Sequence, residues 1–227
     1  MELDVLYEDN HLLIVNKPAG VLSQVDKSGD ESIETLAKKY LKEKYNKPGE
    51  AFIGIAHRID RPVSGVLVLA RTSKALTRLN EMFRNREIKK TYWAVVENKP
   101  ERDTATLVQW LKKNEKKNMS HAFNEERSDA QRSELTYHYL ASSNNYHLLE
   151  VDPLTGRHHQ IRVQLASMGC IIKGDLKYGA KRSNSDGSIH LHARSIKFVH
   201  PVKKEEMVIT APVPDDVVWK FFEQALQ

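Results

Sequence analysis

His57-Arg58-Ile59-Asp60-Arg61-Pro62-Val63-Ser64-Gly65-Val66-Leu67-Val68-Leu69-Ala70 joins a polar, basic turn to an uninterrupted apolar run. The run is short and rich in branched residues, which makes it a strand. Asp60 is thereby placed on a turn at a strand's edge. Pro62 and Gly65 stiffen that turn, and the basic neighbours His57, Arg58 and Arg61 form an electropositive surround in which an anionic substrate can dock. On spacing alone, the same residues also describe an ordinary surface aspartate in a basic turn.

Outward from this segment the chain reads as α+β. Val5 to Tyr7 and Leu12 to Val15 are short strands around Glu8-Asp9-Asn10, and Lys17-Pro18-Ala19-Gly20 forces a turn. From Ser32 to Lys44 the residues Ile33, Leu36, Ala37, Tyr40 and Leu41 recur at helical spacing, with Asp30 or Ser32 available as cap. A second helix is predicted from about Thr72 to Arg86, with Leu76, Leu79 and Phe83 on one face and Arg84 and Arg86 near its negative end. Strands are predicted at Tyr92 to Glu97, Tyr146 to Val151, Ile189 to Val199 and Met207 to Ala211. Around Arg162, Ile161, Leu165 and Met168 fit a short helix closed by Gly169, while Ile161, Val163 and Leu165 also alternate as in a strand. Pro214-Asp215-Asp216 starts a terminal helix with Val218, Phe221, Phe222 and Ala225 on one face. Residues 112–132 are polar and lysine-rich, and read as surface loop or irregular hairpin whose lysines either touch phosphates or are solvated.

The 227 residues carry no Ser/Gly/Pro-rich divider, so one domain over 1–227 is expected. Hydrophobic residues at 40% and charged residues at 29% suit a globular chain, and no apolar run is long enough to cross a bilayer. The N-terminus lacks the pattern of a secretory signal and the single Cys170 has no internal disulfide partner, so a cytoplasmic setting is expected. Thirty-five Lys and Arg against thirty Asp and Glu leave a net charge of +5, which is compatible with a polyanionic partner without demanding one.

Four segments in order carry a resemblance. His57-Arg58-Ile59-Asp60-x-x-x-Ser64-Gly65 resembles the signature of the RluA family of RNA pseudouridine synthases. Leu6-Tyr7-Glu8-Asp9 through Asn16-Lys17-Pro18-Ala19-Gly20 is similar to that family's opening, and Lys89-Lys90-Thr91-Tyr92-Trp93-Ala94-Val95-Val96 to its second motif. Leu154-Thr155-Gly156-Arg157-His158-His159-Gln160-Ile161-Arg162-Val163-Gln164-Leu165-Ala166, with Gly174-Asp175-Leu176-Lys177-Tyr178-Gly179 and Leu191-His192-Ala193 beyond it, is similar to the third. Ile59 and Val63 depart from the Leu and Thr that the family often has. A separate N-terminal RNA-binding domain, present in some relatives, is not expected.

The resemblance implies a pseudouridine synthase fold, a mixed and mostly antiparallel sheet flanked by helices and loops. It also implies an isomerase that converts specific uridines of structured rRNA or tRNA to pseudouridine on a flipped-out base. Asp60 matches the catalytic aspartate, Tyr92 the tyrosine that stacks on the extruded uracil, and Arg162 the arginine that keeps the aspartate charged. Arg58 matches the arginine that fills the gap left by the base. With it, His57, Arg61, Arg157 and His159 are the residues expected to meet RNA. The isomerisation needs no cofactor, and a monomer is expected. A metal site is not expected either: His158 and His159 are neighbours, which point apart on a regular element, unlike an i, i+4 pair. Two other functions are compatible with parts of the sequence: a non-catalytic RNA-binding protein of the same fold, and a metal-dependent nuclease built on the histidines and carboxylates.

Overall fold

The computed structural model describes residues 2–46 and 48–226. The chain forms two compact units, Met1–Lys90 with Ala193–Pro212, and Thr91–His192 with Val213–Gln227.

In the first unit, β1 (Val5–Glu8), β2 (Leu12–Lys17), β4 (Ser64–Ala70) and β10 (Leu191–Val199) lie side by side, with β3 (Gly54–Ile55) on β4 and β11 (Glu206–Thr210) on β10. The pairing of β2 with β4 is antiparallel, with Leu13 opposite Leu69 and Val15 opposite Leu67. Helices cover both faces, which explains why β4 is apolar without alternation. On one face Leu12, Ile14, Val66 and Val68 pack with Ala75, Leu79 and Met82 of α2 (Ser73–Arg84). On the other, Leu13, Val15, Leu67 and Leu69 pack with Ile33, Leu36, Ala37 and Leu41 of α1 (Ile33–Lys44). Ser32 caps α1 by accepting from the Thr35 N–H, and Thr72 caps α2 through the Ala75 N–H. Both predicted helices are present, their ends shifted by one or two residues.

In the second unit an antiparallel sheet has the order β5 (Lys89–Val96), β9 (His147–Pro153), β8 (Gln131–Ser142), β6 (Thr104–Asn114) and β7 (Met119–Phe123). The sequence predicts no strand at β6 or β8, and reads 112–132 as loop or irregular hairpin. Instead β6 and β7 form a regular hairpin, with Lys112 opposite His121 and Lys113 opposite Ser120. Its strands are only partly buried along most of their length, so they lack the apolar pattern by which strands are recognised. Helix α3 (Gln160–Ser167) settles the ambiguity around Arg162 in favour of helix. Helix α4 (Val217–Ala225), capped by Asp216, buries Trp219 and Phe222 against Trp93, Val95 and Leu148.

Candidate active site

Asp60 lies in a turn fastened from both sides to the turn that follows β2. The Ser23 hydroxyl donates to the Ile59 carbonyl at 2.8 Å and accepts from the Ile59 N–H at 3.2 Å. The Gly20 N–H donates to the Arg61 carbonyl at 2.8 Å, and Arg61 Nε returns a bond to the Gly20 carbonyl at 2.9 Å. The Val63 N–H closes the turn on the Asp60 carbonyl at 3.0 Å. The backbone on each side of the carboxylate is thus held by bonds made within one unit.

Lys17, which the sequence places only in the turn after β2, has a further part in this arrangement. It is fully buried, and its Nζ donates to the carbonyls of Pro18 at 2.8 Å, Val21 at 2.7 Å and Arg61 at 3.2 Å. Burial pushes its pKa down to about 7; the negative charge of Asp60 works against that shift and Arg61 adds to it. Lys17 thus ties the turn after β2 to the turn that carries Asp60, a link that the contiguous motifs do not disclose. A signal was present: Lys17 shares its strand parity with the buried Leu13 and Val15, so its side chain had to enter the core.

Gly65 is required by close approach. Its φ is +116°, and a Cβ there would lie 2.3 Å from the carbonyl oxygen of Ala193 on the adjoining strand β10.

The remaining residues of the basic turn separate into two kinds. Arg58 is exposed, and Arg61 is exposed but paired with Asp30 at 2.7 Å. His57, expected to meet RNA, is turned inward. Its Nε2 accepts from the Val68 N–H at 3.0 Å, and its ring lies 4.7 Å from that of Phe83. Burial, with a smaller contribution from Lys90, pushes its pKa down to about 3. A neutral ring so engaged supplies no positive charge to a phosphate.

In the second unit Tyr92 stands half-buried on β5 opposite Val151. Arg162, in the first turn of α3, is buried, and its guanidinium donates from Nε and Nη2 to the two carboxylate oxygens of Asp175 at 2.7 and 2.8 Å. The segment before α3 is locked by its own polar residues. The Gln160 carboxamide oxygen accepts from the Thr155 hydroxyl at 2.8 Å and the Arg157 N–H at 3.0 Å, while the Thr155 oxygen accepts from the Glu134 N–H at 2.9 Å. Arg157 is exposed. His159, the second histidine expected to meet RNA, is buried, and Nδ1 lies 2.9 Å from the Tyr178 hydroxyl. Burial and then Arg162 hold its pKa far below the usual histidine range, so it too is uncharged.

The expectation that His158 and His159 point apart is overturned: their rings stack with centroids 3.8 Å apart. The reason is that His159 adopts a left-handed conformation, φ 53°, as the residue preceding α3, so the pair does not sit on a regular element. Their nitrogens are engaged nonetheless, His158 Nδ1 at 2.9 Å from the Ser120 hydroxyl and Nε2 at 3.1 Å from the Asn118 side-chain oxygen. No helix among the described residues is long and apolar enough to cross a membrane.

Residues 11–167 match the family model described as RNA pseudouridylate synthase. The RNA pseudouridine synthase YhcT of Bacillus subtilis is 34% identical over 222 residues, covering 95% of this chain and 70% of its own. Ribosomal large subunit pseudouridine synthase C of Vibrio cholerae is 32% identical over 94% of this chain and 66% of its own length. The tRNA pseudouridine synthase C of the same organism is 32% identical over 96% and 93%. Among solved structures, human RNA pseudouridylate synthase domain containing 4 superimposes with a TM-score of 0.80 at 25% identity, over 99% of this chain and 94% of that one. With its α+β architecture and the matched residues running through the Asp60 turn, Tyr92 and Arg162, the chain belongs to the RNA pseudouridylate synthase family.

Proposed function

We propose that the protein isomerises particular uridines of structured ribosomal or transfer RNA, with Asp60 as the reacting carboxylate. The observation that carries this reading is the Asp60 turn itself, tied by Lys17, Gly20 and Ser23 so that the backbone on both sides of one carboxylate is fixed. In this reaction the N1–C1′ bond of the uridine breaks, the uracil turns, and C5 joins C1′. The C5 proton is lost and N1 is protonated, so no atom is gained or lost overall. An ionised Asp60 begins it at the sugar C1′ or the base C6. Tyr92 stacks on the extruded base, Arg162 supports the charged form of Asp60, and Arg58 fills the vacated position in the RNA stack, offsetting part of the cost of extrusion. Exposed Arg58, Arg61 and Arg157 remain the candidates for RNA contact; His57 and His159 are better read as uncharged supports of the turn and of α3. The two units act as one catalytic domain in a cytoplasmic monomer.

The test is to incubate the purified protein with unmodified rRNA fragments and tRNA transcripts and map the pseudouridines formed. Product at discrete sites is expected, and it should survive chelation if the RNA stays folded. Asp60→Asn should bind the same RNA yet form product at least about 10⁴-fold more slowly, the scale of losing a covalent nucleophile. A near wild-type rate in that variant would remove Asp60 from the mechanism.

A further inference from the structure

We propose that Asp175 and Tyr178 are positioning residues for Arg162, setting the plane and direction of its guanidinium before substrate arrives. The proposal rests on the role given to Arg162 above and stands on contacts within the second unit.

Arg162 has a long, flexible stem, and burial alone does not choose among its rotamers. The segment beyond α3 makes that choice. Both carboxylate oxygens of Asp175 are engaged, by Nε at 2.7 Å and Nη2 at 2.8 Å, and the two side chains are 5% and 1% exposed, so water competes little for these bonds. Two parallel bonds fix the orientation of a planar fork as one bond to a lysine would not. The ring of Tyr178 lies 5.2 Å from the guanidinium carbon, adding a cation–π contact.

Tyr178 is anchored in its turn. Its hydroxyl oxygen accepts from the Ser120 N–H of β7 at 2.7 Å and lies 2.9 Å from Nδ1 of His159, which stands just before α3. The Asp175 carbonyl accepts from the N–H groups of Tyr178 and Ala180, each at 3.0 Å, so the two residues are held on one turn. β7, the start of α3 and the turn containing Leu176–Tyr178 therefore converge on a single side chain.

This arrangement changes what the arginine contributes. Asp175 balances its positive charge at a distance, and two of the five N–H groups serve the pair. What the pair fixes is the plane and direction of the guanidinium, and displacement of a reacting partner by about 1 Å costs on the order of 10²-fold in rate.

The experiment measures single-turnover rates at saturating RNA, per folded molecule, with RNA affinity measured alongside. Asp175→Asn is expected to lose about 10²-fold in rate with affinity nearly unchanged. In an Arg162→Lys background, which has already lost the fork, the same substitution should cost only about threefold more. A purely structural Asp175 would instead leave the rate per folded molecule alone or multiply its loss in both backgrounds; either result overturns the proposal. Should Asp175→Asn fail to fold, Tyr178→Leu and Tyr178→Phe decide: about tenfold loss is expected without the ring and a smaller one without the hydroxyl. A wild-type rate in Tyr178→Leu overturns the proposal. If Arg162→Met itself keeps the wild-type rate, the function assigned to Arg162 fails first, a result distinct from those above.

Discussion

The Asp60 turn and the Arg162 helix bear the two charged residues expected to act together, and they are held by different means. Around Asp60 the restraint is carried mainly through backbone groups. Carbonyls of Pro18, Val21, Ile59 and Arg61 and the N–H groups of Gly20, Ile59 and Val63 are engaged, with Lys17 and Ser23 as the side chains that join them. Around Arg162 the restraint is made between side chains, an ion pair with Asp175 and the ring of Tyr178. A backbone-held loop resists change and fails by unfolding, whereas a side-chain-held group can be loosened while the fold stands. Substitutions in the groups that fasten the Asp60 turn should therefore register mainly in stability, and those around Arg162 in rate as well as stability, since breaking a buried ion pair is itself destabilising.

The largest break of this contrast is Gly65→Ala. The added methyl meets the Ala193 backbone in a conformation that alanine rarely adopts. A loss of about 3–5 kcal/mol is expected by denaturant titration, from overpacking and backbone strain together. A midpoint within experimental error of the wild type would show that β4 and β10 part easily and that the turn is not held as described.

Lys17→Met comes next, at about 2–4 kcal/mol near pH 7, since it leaves buried carbonyls without their donor. Its pH dependence sharpens the point. The folded-state pKa of Lys17, about 7, lies below its ordinary value of 10.5, so between those limits the unfolded chain binds more protons than the folded one. Stability contributed through Lys17 then rises with pH across that window, because the cost of burying the ammonium is relieved. The gap in unfolding free energy between wild type and Lys17→Met should widen from pH 7 to pH 9. A constant gap would mean that the ammonium stays charged in the fold, held by Asp60.

Ser23→Ala removes both bonds to Ile59 and should cost about 1–2 kcal/mol. Because those bonds lie next to Asp60, the single-turnover rate should fall as well. Lost stability with an unchanged rate would separate the rigidity of the turn from catalysis.

The smallest expected effect on stability belongs to Arg58→Ala, within about 0.5 kcal/mol, because the side chain is exposed. Its effect belongs to the substrate: the rate should fall more on a uridine paired in a helix than on one already unpaired. Equal losses on both RNAs would count against the stack-filling role.

Much of the first unit was legible in the chain. The 3.6-residue recurrence of Ile33, Leu36, Ala37 and Leu41, the caps Ser32 and Thr72, and the apolar run at Val66 to Ala70 are local patterns, and the helices and strand follow them. The motif around Asp60 is likewise contiguous, lying within residues 57–65. The β6–β7 hairpin was less legible because its strands bury few residues, so the alternation that discloses a strand is faint.

What the sequence determined by itself was the family pattern, the apolar periodicities and the candidate for the reacting carboxylate, all written in contiguous residues. Only the tertiary structure decided that Lys17 is buried, that His57 and His159 are engaged by Val68 and Tyr178, and that Arg162 is gripped by Asp175. The physical reason is distance along the chain: Lys17 meets the Arg61 carbonyl 44 residues away, and Arg162 meets Asp175 13 residues away. A side chain's charge and orientation are set by the groups that enclose it, and those are brought together only when the strands and helices pack.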